Sequence, residues 1–417
     1  VNALVIGQGG REHALLMKLS QSALIQGLHA LPGNDGFSEI ARCHDISWKN
    51  FNAVLELCQK LEIDFVFIGP EDPLCEGLSD FLREHEVSVI GPSQAAAQLE
   101  GSKIFAKEFM ARAEIPTSAF EVVHSVEDVQ RVSSLFTPPY VLKADGLASG
   151  KGVFICQTEA ELLKAAIDLF ENKLLGAAGE RALLEQFMPG WELSFLFLTE
   201  GENFVALPIA QDHKRLLDGD QGPNTGGMGT VAPIPVDTKL LAKIEDQVVG
   251  PFLSQLKKEN LEYKGVVFVG LMITAEGPQV LEFNCRLGDP EAQVILPLIN
   301  NDFADVCFEL SHGRLPELDF IDAKAACVVI AAPGYPDAAK KGVLIEKLPT
   351  STSQSYLLHA GTKCEAGKWY TNGGRVLNSV AIGSQFSEAI QKAYALADQV
   401  LSEGKQLRRD IGKQFLN

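Results

Sequence analysis

The chain has 417 residues, 46% apolar and 22% charged, with 36 basic and 54 acidic side chains and a formal net charge of −18. So acidic a chain is ill suited to non-specific contact with nucleic acid, and small molecules are the expected partners. At about 150 residues per domain the length implies roughly three cores, no apolar run approaches the ~18–20 residues that span a bilayer, and the opening VNALVIG lacks a basic signal-peptide leader. Eight scattered cysteines without a CxxC pair point to free thiols in a reducing cytoplasm.

Residues 1 to about 100 alternate apolar strands with helical stretches. Ala3–Ile6 reads as a buried strand and Glu12–Ser20 as an amphipathic helix. Phe65–Ile68 is a second strand, ending in GPEDP, and Val87–Ile90 a third, ending in GPS. Strand, glycine loop and helix in repetition mark an open parallel sheet, whose ligands sit at the carboxyl ends of strands. Gly7–Arg11, Gly69–Glu71 and Gly91–Ser93 occupy those ends. The first loop, GQGGREHA, supplies Gly7 and Gly9 of a GxGxxG fingerprint but puts Glu12 where a third small residue lets helix pack on strand. That bulk argues against a nicotinamide or flavin cofactor. The helix start with Arg11 could still hold one phosphate; the alternative is a tight turn and nothing more.

Tyr140–Lys143 and Val153–Cys156 read as strands joined by ADGLASGKG, Ala144–Gly152, before a helix, Glu159–Phe170, and a strand, Ala182–Phe187. This is a small α+β unit. Its hairpin fails as a P-loop, because the spacing from Gly146 to Gly150–Lys151 is one residue short and Gly152 replaces the Ser or Thr that binds magnesium. A glycine hairpin can instead fold over ATP phosphates as a lid, with Lys143 and Lys151 supplying charge; the alternative is a mobile surface hairpin. Farther on, strands Glu192–Leu198, Val266–Thr274 and Gln279–Asn284 surround the loop Gln211–Thr230, where Asp212, Lys214 and Arg215 precede GPNTGGMG. The last hundred residues hold strands Ala326–Ala331 and Arg375–Ile382 and a helix, Phe386–Ser402. His13, His213 and His359 lack metal-ligand spacing, and there is no GxSxG elbow.

The stretch EFNCRLGDPE, Glu282–Glu291, is the most informative. Alternate side chains on a strand share a face, so Glu282, Asn284 and Arg286 would point the same way. Hard metals use such oxygens beside substrate phosphates, and an arginine can stabilise a phosphoryl group in transfer. The competing interpretation is a solvated strand face with one internal ion pair.

Together, VIGQGGREHA, VFIGPEDPL, QLEGSKIFAKEFM, LKADGLASGKGV, QDHKRLLDGDQGPNTGGMG, LEFNCRLGDPEAQ and HAGTK with NGGRVL span nearly the whole chain. In that order they resemble the phosphoribosylamine–glycine ligase family of the ATP-grasp superfamily. The resemblance implies a multidomain α/β fold. Its parts would be an N-terminal open parallel-sheet (Rossmann-like) phosphoribosylamine-binding domain at 1–116, an ATP-grasp lid subdomain at 117–190, an ATP-grasp catalytic subdomain at 191–318 and a C-terminal mixed β domain at 319–417. It also implies the reaction: ATP, glycine and 5-phosphoribosylamine give ADP, phosphate and glycinamide ribonucleotide through glycyl phosphate, the second step of purine (IMP) synthesis.

Carried over residue by residue, the resemblance implies that Glu282 and Asn284 hold Mg²⁺ or Mn²⁺. The strand Val266–Thr274 has no acid, so a second ion would lean on the same pair. Arg286 would stabilise the transferred phosphoryl and orient glycine, Asp212 would take the glycine ammonium, and Asp289 would lie by the sugar. For ATP, Lys103 and Lys143 would meet the phosphates under the lid of Gly146, Ser149, Gly150, Lys151 and Gly152. Glu185, Gln186, Phe187 and Met188 would read adenine, and Glu192 the ribose hydroxyls. The sugar phosphate would use Gly9, Gly10, Arg11 and Glu71, with Lys363 and Arg375 as phosphate anchors. Trp191, Ser149 and Leu287 depart from the acid, alanine and phenylalanine common in the family. A stand-alone cytoplasmic monomer with no nucleic-acid or membrane partner is expected. The rivals are a different ATP-grasp ligase, a nicotinamide oxidoreductase disfavoured by Glu12, and a silent nucleotide-binding module.

Overall fold

The computed structural model describes residues 1–147 and 152–416. The opening run Asn2–Gly7 shows no polar alternation because both faces are covered, and Ala3–Ile6 are fully buried, as in parallel strands lying under helices. It is the central strand of a five-stranded parallel sheet. Gly27–Pro32 and Phe65–Ile68 flank it, with Arg42–Cys43 and Val89–Ile90 outermost. The strand order reverses at Asn2–Gly7, so a crevice opens at its carboxyl end. The strand read as Val87–Ile90 shrinks to Val89–Ile90, and Gly27–Pro32 had not been anticipated.

Phe120–Val123, Ala182–Gln186, Tyr140–Ala144 and Val153–Cys156 form, in that order, an antiparallel sheet. With the helices Val126–Val132 and Glu159–Phe170 it encloses a separate apolar core that includes Val123, Leu142, Leu162 and Leu184. This unit is therefore a body of its own, while the larger cores mix residues of the rest of the chain.

Trp191–Thr199 pairs with Phe204–Ala206 on one side and Gly265–Ile273 on the other, and Gly265–Ile273 pairs with Pro278–Asn284. In the last pair Leu271 faces Val280 while Gly270 faces Glu282, so Leu281 is an extra residue. Such a bulge bends a strand and re-aims its side chains. The loop after Ile209 is more ordered than its composition suggests. Gln211–Asp212 and Gly229–Ala232 join an antiparallel sheet with Lys324–Ala331, Arg375–Gly383 and Ser355–His359. Both loop ends are thereby fixed to the edge of the C-terminal sheet. The final helix, read as Phe386–Ser402, stops at Gln399; Val400 turns extended and Leu401–Ser402 pairs with Leu344–Lys347. Among the described residues no helix is long and apolar enough to cross a membrane.

Candidate active site

A cavity of about 1960 Å³ lies between the small α+β unit, the sheet containing Pro278–Asn284, the crevice of the parallel sheet and the C-terminal sheet. Strand alternation brings Glu282 and Asn284 to it, and Arg286 reaches it just after the strand ends. Burial pushes the Glu282 carboxyl up, but Lys214, Lys143, Lys103 and Arg286 together hold it below the ordinary carboxylate range. Among the described residues no group of three or more His, Cys, Asp or Glu suits a metal ion. An ion at Glu282 and Asn284 would thus depend on ligands from outside the protein. Two oxygen donors, one anionic and one neutral, fit a hard cation that completes its shell with phosphate and water.

Arg286 is shared by two carboxylates. Its Nη2 lies 2.7 Å from Glu100 Oε1 and its Nε 3.2 Å from Glu71 Oε2. Glu100 also accepts a hydrogen bond from the Cys285 amide at 2.7 Å. Burial pushes the Glu100 carboxyl up to about 7, with Arg286 opposing. At Glu71 burial is outweighed by Arg286 and Arg11, which hold the carboxyl down to about 2. Glu100 was missed in the sequence, although the helical period puts it on the same face as Ala96 and Ala97, all three buried. An acid on an apolar helix face was the available signal.

The wall formed by the Ala182–Gln186 strand carries a second cluster. Lys143 Nζ is 3.0 Å and Lys107 Nζ 3.1 Å from Glu185 Oε2. Lys107 donates further to Thr117 Oγ1 and Ser118 Oγ at 2.6 and 2.8 Å. Glu185 Oε1 is buried without a partner. Gln186, Phe187, Met188 and Trp191 line the same wall, though the Gln186 side chain is tied to Thr137. Lys107 was not anticipated; it stands one turn after Lys103, whose Nζ donates to the Gly146 carbonyl at 3.2 Å. Gly152 lines the cavity and accepts from the Ala144 amide. Ser149, Gly150 and Lys151 lie outside the described residues.

Glu192 pairs with Lys214 at 2.9 Å. Asp212 Oδ1 accepts from the His213 amide at 2.7 Å and Thr230 Oγ1 at 3.3 Å. Burial first, and then Glu291, push the Asp212 carboxyl well above its usual range. Glu291, held by Ser194 Oγ at 3.0 Å, is another acid of the cavity that the sequence reading passed over.

At the crevice of the parallel sheet Arg11, Glu71, Asp289 and Arg375 line the cavity. Asp289 Oδ2 is 3.3 Å from Arg375 Nη2, and Arg375 Nη1 donates to the carbonyls of Asp289 and Gly226, each at 2.7 Å. The residue that breaks the dinucleotide fingerprint has a definite place. Glu12 accepts from the Gly9 amide at 2.7 Å and Arg11 Nε at 2.5 Å. Its carboxylate fills the space between two glycine loops, so that a Cβ at Gly69 would come within 2.2 Å of Glu12 Oε1.

Of the expected residues that the structure describes, Gly9, Gly10, Gly146 and Lys363 do not line the cavity. Gly10 packs on the C-terminal sheet, where a Cβ would come within 2.2 Å of Asn378 Nδ2. The phosphate anchor expected at Lys363 is not brought to the cavity. Its strand buries Thr362, so alternation turns Lys363 outward, where it pairs with Glu365 at 2.6 Å. His13 and His359 are packing residues: the His359 amide donates to His13 Nδ1, and burial takes their imidazoles down to about 3 and about 4.

Comparison with known proteins decides the family. Profiles of phosphoribosylglycinamide synthetase match in succession, its N domain over residues 1–100, its ATP-grasp (A) domain over 101–292 and its C domain over 325–414. The phosphoribosylamine–glycine ligase of Agrobacterium fabrum is 44% identical over 419 residues, covering 100% of this chain and 99% of that protein. The chain belongs to the phosphoribosylamine–glycine ligase family. The crystal structure of the phosphoribosylamine–glycine ligase from Thermotoga maritima matches with a TM-score of 0.87 at 37% identity, over 99% of this chain and 100% of that one. A biotin carboxylase domain of Hydrogenobacter thermophilus 2-oxoglutarate carboxylase reaches 0.75 at 17% identity, covering 97% and 91% of the two chains, a likeness of fold alone. As a phosphoribosylamine–glycine ligase the protein joins glycine to phosphoribosylamine at the expense of ATP, giving glycinamide ribonucleotide in the second step of purine biosynthesis. Its ATP-grasp fold implies use of ATP with a divalent ion, Mg²⁺ or Mn²⁺.

Proposed function

We propose that the ligation runs through glycyl phosphate, formed over the floor made by Glu282, Asn284 and Arg286. A carboxylate resists amines. A glycine carboxylate oxygen therefore takes the γ-phosphoryl group of ATP, releasing ADP. The sugar amine then forms the C–N bond, the C–O bond to phosphate breaks, and the amine loses a proton. The observation that carries this reading is one cavity that gathers Lys103, Lys143, Lys214 and Arg286 in the neighbourhood of Glu282, whose carboxyl their charge holds below the ordinary range. Transferred phosphoryl groups spread negative charge that such cations stabilise.

Lys103 and Lys143 meet the ATP phosphates, Glu185 to Met188 read adenine, and Glu192 holds the ribose. Arg286 stabilises the moving phosphoryl group. Glu282 and Asn284 would hold Mg²⁺ or Mn²⁺, which when bound neutralises phosphate charge. Asp212 takes the glycine ammonium, because a cation there relieves the burial and the Glu291 charge that disfavour its ionised form. Arg11, Glu71, Asp289 and Arg375, with the Gly9 loop, receive the sugar phosphate. The separate lid core supports a hinged unit at 117–190, within the division 1–116, 117–190, 191–318 and 319–417. The free cysteines support a reducing, cytoplasmic setting, in which the chain works as a monomer.

The test incubates the purified chain with ATP, Mg²⁺ or Mn²⁺, glycine and fresh phosphoribosylamine, following ADP and the product mass. Glycinamide ribonucleotide that needs all three substrates and is lost in Glu282→Ala supports the reading. ADP release unaffected by that substitution contradicts the role given to Glu282.

A further inference from the structure

The wall carrying Asp212 and Lys214 continues into a hairpin, Arg215–Leu217 with Gln221–Asn224, whose tip is exposed throughout. An isolated two-stranded hairpin is marginal in water, so something else must hold it. Across it lies the segment following the helix Phe386–Gln399. Tyr394 on that helix donates its hydroxyl to the Arg408 carbonyl at 2.8 Å and accepts from the Ile411 amide at 3.0 Å, which fixes the turn of the segment.

The Arg408 side chain is 2% exposed, and each nitrogen of its guanidinium has an acceptor. Its Nε is 2.6 Å from Asp410 Oδ1, its Nη2 2.7 Å from Asp220 Oδ1, and its Nη1 3.1 Å from the Arg215 carbonyl. A guanidinium buried without such partners would be very costly; here two of its acceptors belong to the hairpin. The neighbours repeat the pattern. The Arg409 amide donates to Asp218 Oδ1 at 2.6 Å, and the Gly219 amide to Asp410 Oδ2 at 2.8 Å. The Gly412 amide lies 3.1 Å from His213 Nε2. A backbone amide can only donate, so Nε2 accepts, and His213 carries its proton on Nδ1, which donates to the Gly229 carbonyl at 3.0 Å. Gln414 Nε2 donates to Gln211 Oε1 at 2.7 Å, and Gln211 passes a bond to the Glu192 carbonyl at 2.9 Å.

The extended chain thus alternates. Gln211 and His213 bond to residues 412–414, and the Arg215 carbonyl to Arg408. Asp212 and Lys214, between them, carry the charges of this stretch, Lys214 reaching Glu192 at 2.9 Å, and both segments, Arg408 included, reach the cavity wall. We propose that residues 408–414 are a positioning element of the active site, with Arg408 the positioning residue that sets where Asp212 and Lys214 stand toward glycine and ATP. This rests on the glycine and nucleotide roles proposed above.

The test compares the full chain with Arg408→Met, which keeps an unbranched apolar stem and removes the guanidinium, Arg408→Lys, and Asp220→Ala at the exposed partner. Misplacing a positioning contact by about 1 Å can cost up to 10²-fold. KM for glycine should rise about tenfold in Arg408→Met and about threefold in Asp220→Ala, with kcat and KM for phosphoribosylamine within about threefold of the parent. Arg408→Lys should recover part of the loss. Limited trypsin digestion supplies a readout that needs no turnover: cleavage at Lys214 and Arg215 should speed up in Asp220→Ala. That digestion still decides the anchoring if the parent proves indifferent to glycine, an outcome that sinks the substrate roles instead. Folded Arg408→Met with parental KM and parental digestion overturns the proposal. So does a uniform loss in every kinetic constant that follows the melting temperature, since that is mere structural support.

Discussion

Replacing Glu100 by glutamine separates the stability of the arginine cluster from its use. Glutamine keeps the shape and one carbonyl acceptor while removing the charge 2.7 Å from Arg286 Nη2. Burial, opposed by Arg286, raises the Glu100 carboxyl from an ordinary 4.5 to about 7. Between those values the folded chain keeps a proton that the unfolded chain has released. Stability therefore falls as pH rises through that window. With about 1.4 kcal/mol for each pKa unit, the decline totals about 3 kcal/mol by pH 8. Glu71 works in the opposite sense. Its carboxyl is held down to about 2 against burial, so its contribution is full above about 4.5 and is lost as pH falls toward 2. Glutamine at 100 cannot titrate, so urea melts of parent and Glu100→Gln, taken from pH 4 to pH 8.5, should diverge only above pH 4.5. The variant should gain about 3 kcal/mol relative to the parent across that range. Activity at pH 8, where the parent Glu100 is ionised, should move the other way, with kcat down about tenfold, because Arg286 loses one of its two charged anchors. Parallel stability curves would refute the reasoning, since Glu100 would then not be the group that holds the proton.

Arg286→Lys keeps the charge but loses the planar fork, and kcat should fall about 10²–10³-fold in the ADP-release assay at saturating substrates. Glu185→Ala leaves the ammonium groups of Lys107 and Lys143, now 3.1 and 3.0 Å from its carboxylate, without their common counter-charge. A loss of about 3–5 kcal/mol should appear in denaturant melts. Of Trp48, Trp191 and Trp369, Trp191 is the one on the cavity wall. ADP should change the intrinsic fluorescence of the parent and leave that of Trp191→Phe nearly unaltered; an equal response in both would place the nucleotide elsewhere.

Local periodicity made much of this architecture legible. The glycine-ended strands gave the parallel sheet, Tyr140 to Phe170 gave the small α+β unit, and alternation brought Glu282 and Asn284 to one cavity. Glu12 was readable as an obstacle to a dinucleotide, but not as the filler between Gly7 and Gly69, which needs the loop from the neighbouring strand. Glu100 and Lys107 were missed because their partners, Arg286 and Glu185, are distant in sequence, and an acid or lysine in a helix ordinarily faces water. Lys363 was carried over with its motif, although buried Thr362 beside it meant that alternation would turn the lysine out. The loop from Gln211 to Thr230 hid its order because short edge strands and side-chain anchors such as Arg408 have no periodic signature.

The central claim is that ATP activates the carboxylate of glycine within this cavity, and oxygen transfer tests it directly. Glycine labelled with ¹⁸O in its carboxylate is supplied with ATP and phosphoribosylamine in unlabelled water, and the released phosphate is analysed by mass spectrometry. Glycyl phosphate requires one labelled oxygen in each phosphate, formed in step with glycinamide ribonucleotide and lost together with it in Glu282→Ala. Product accompanied by unlabelled phosphate would contradict the account.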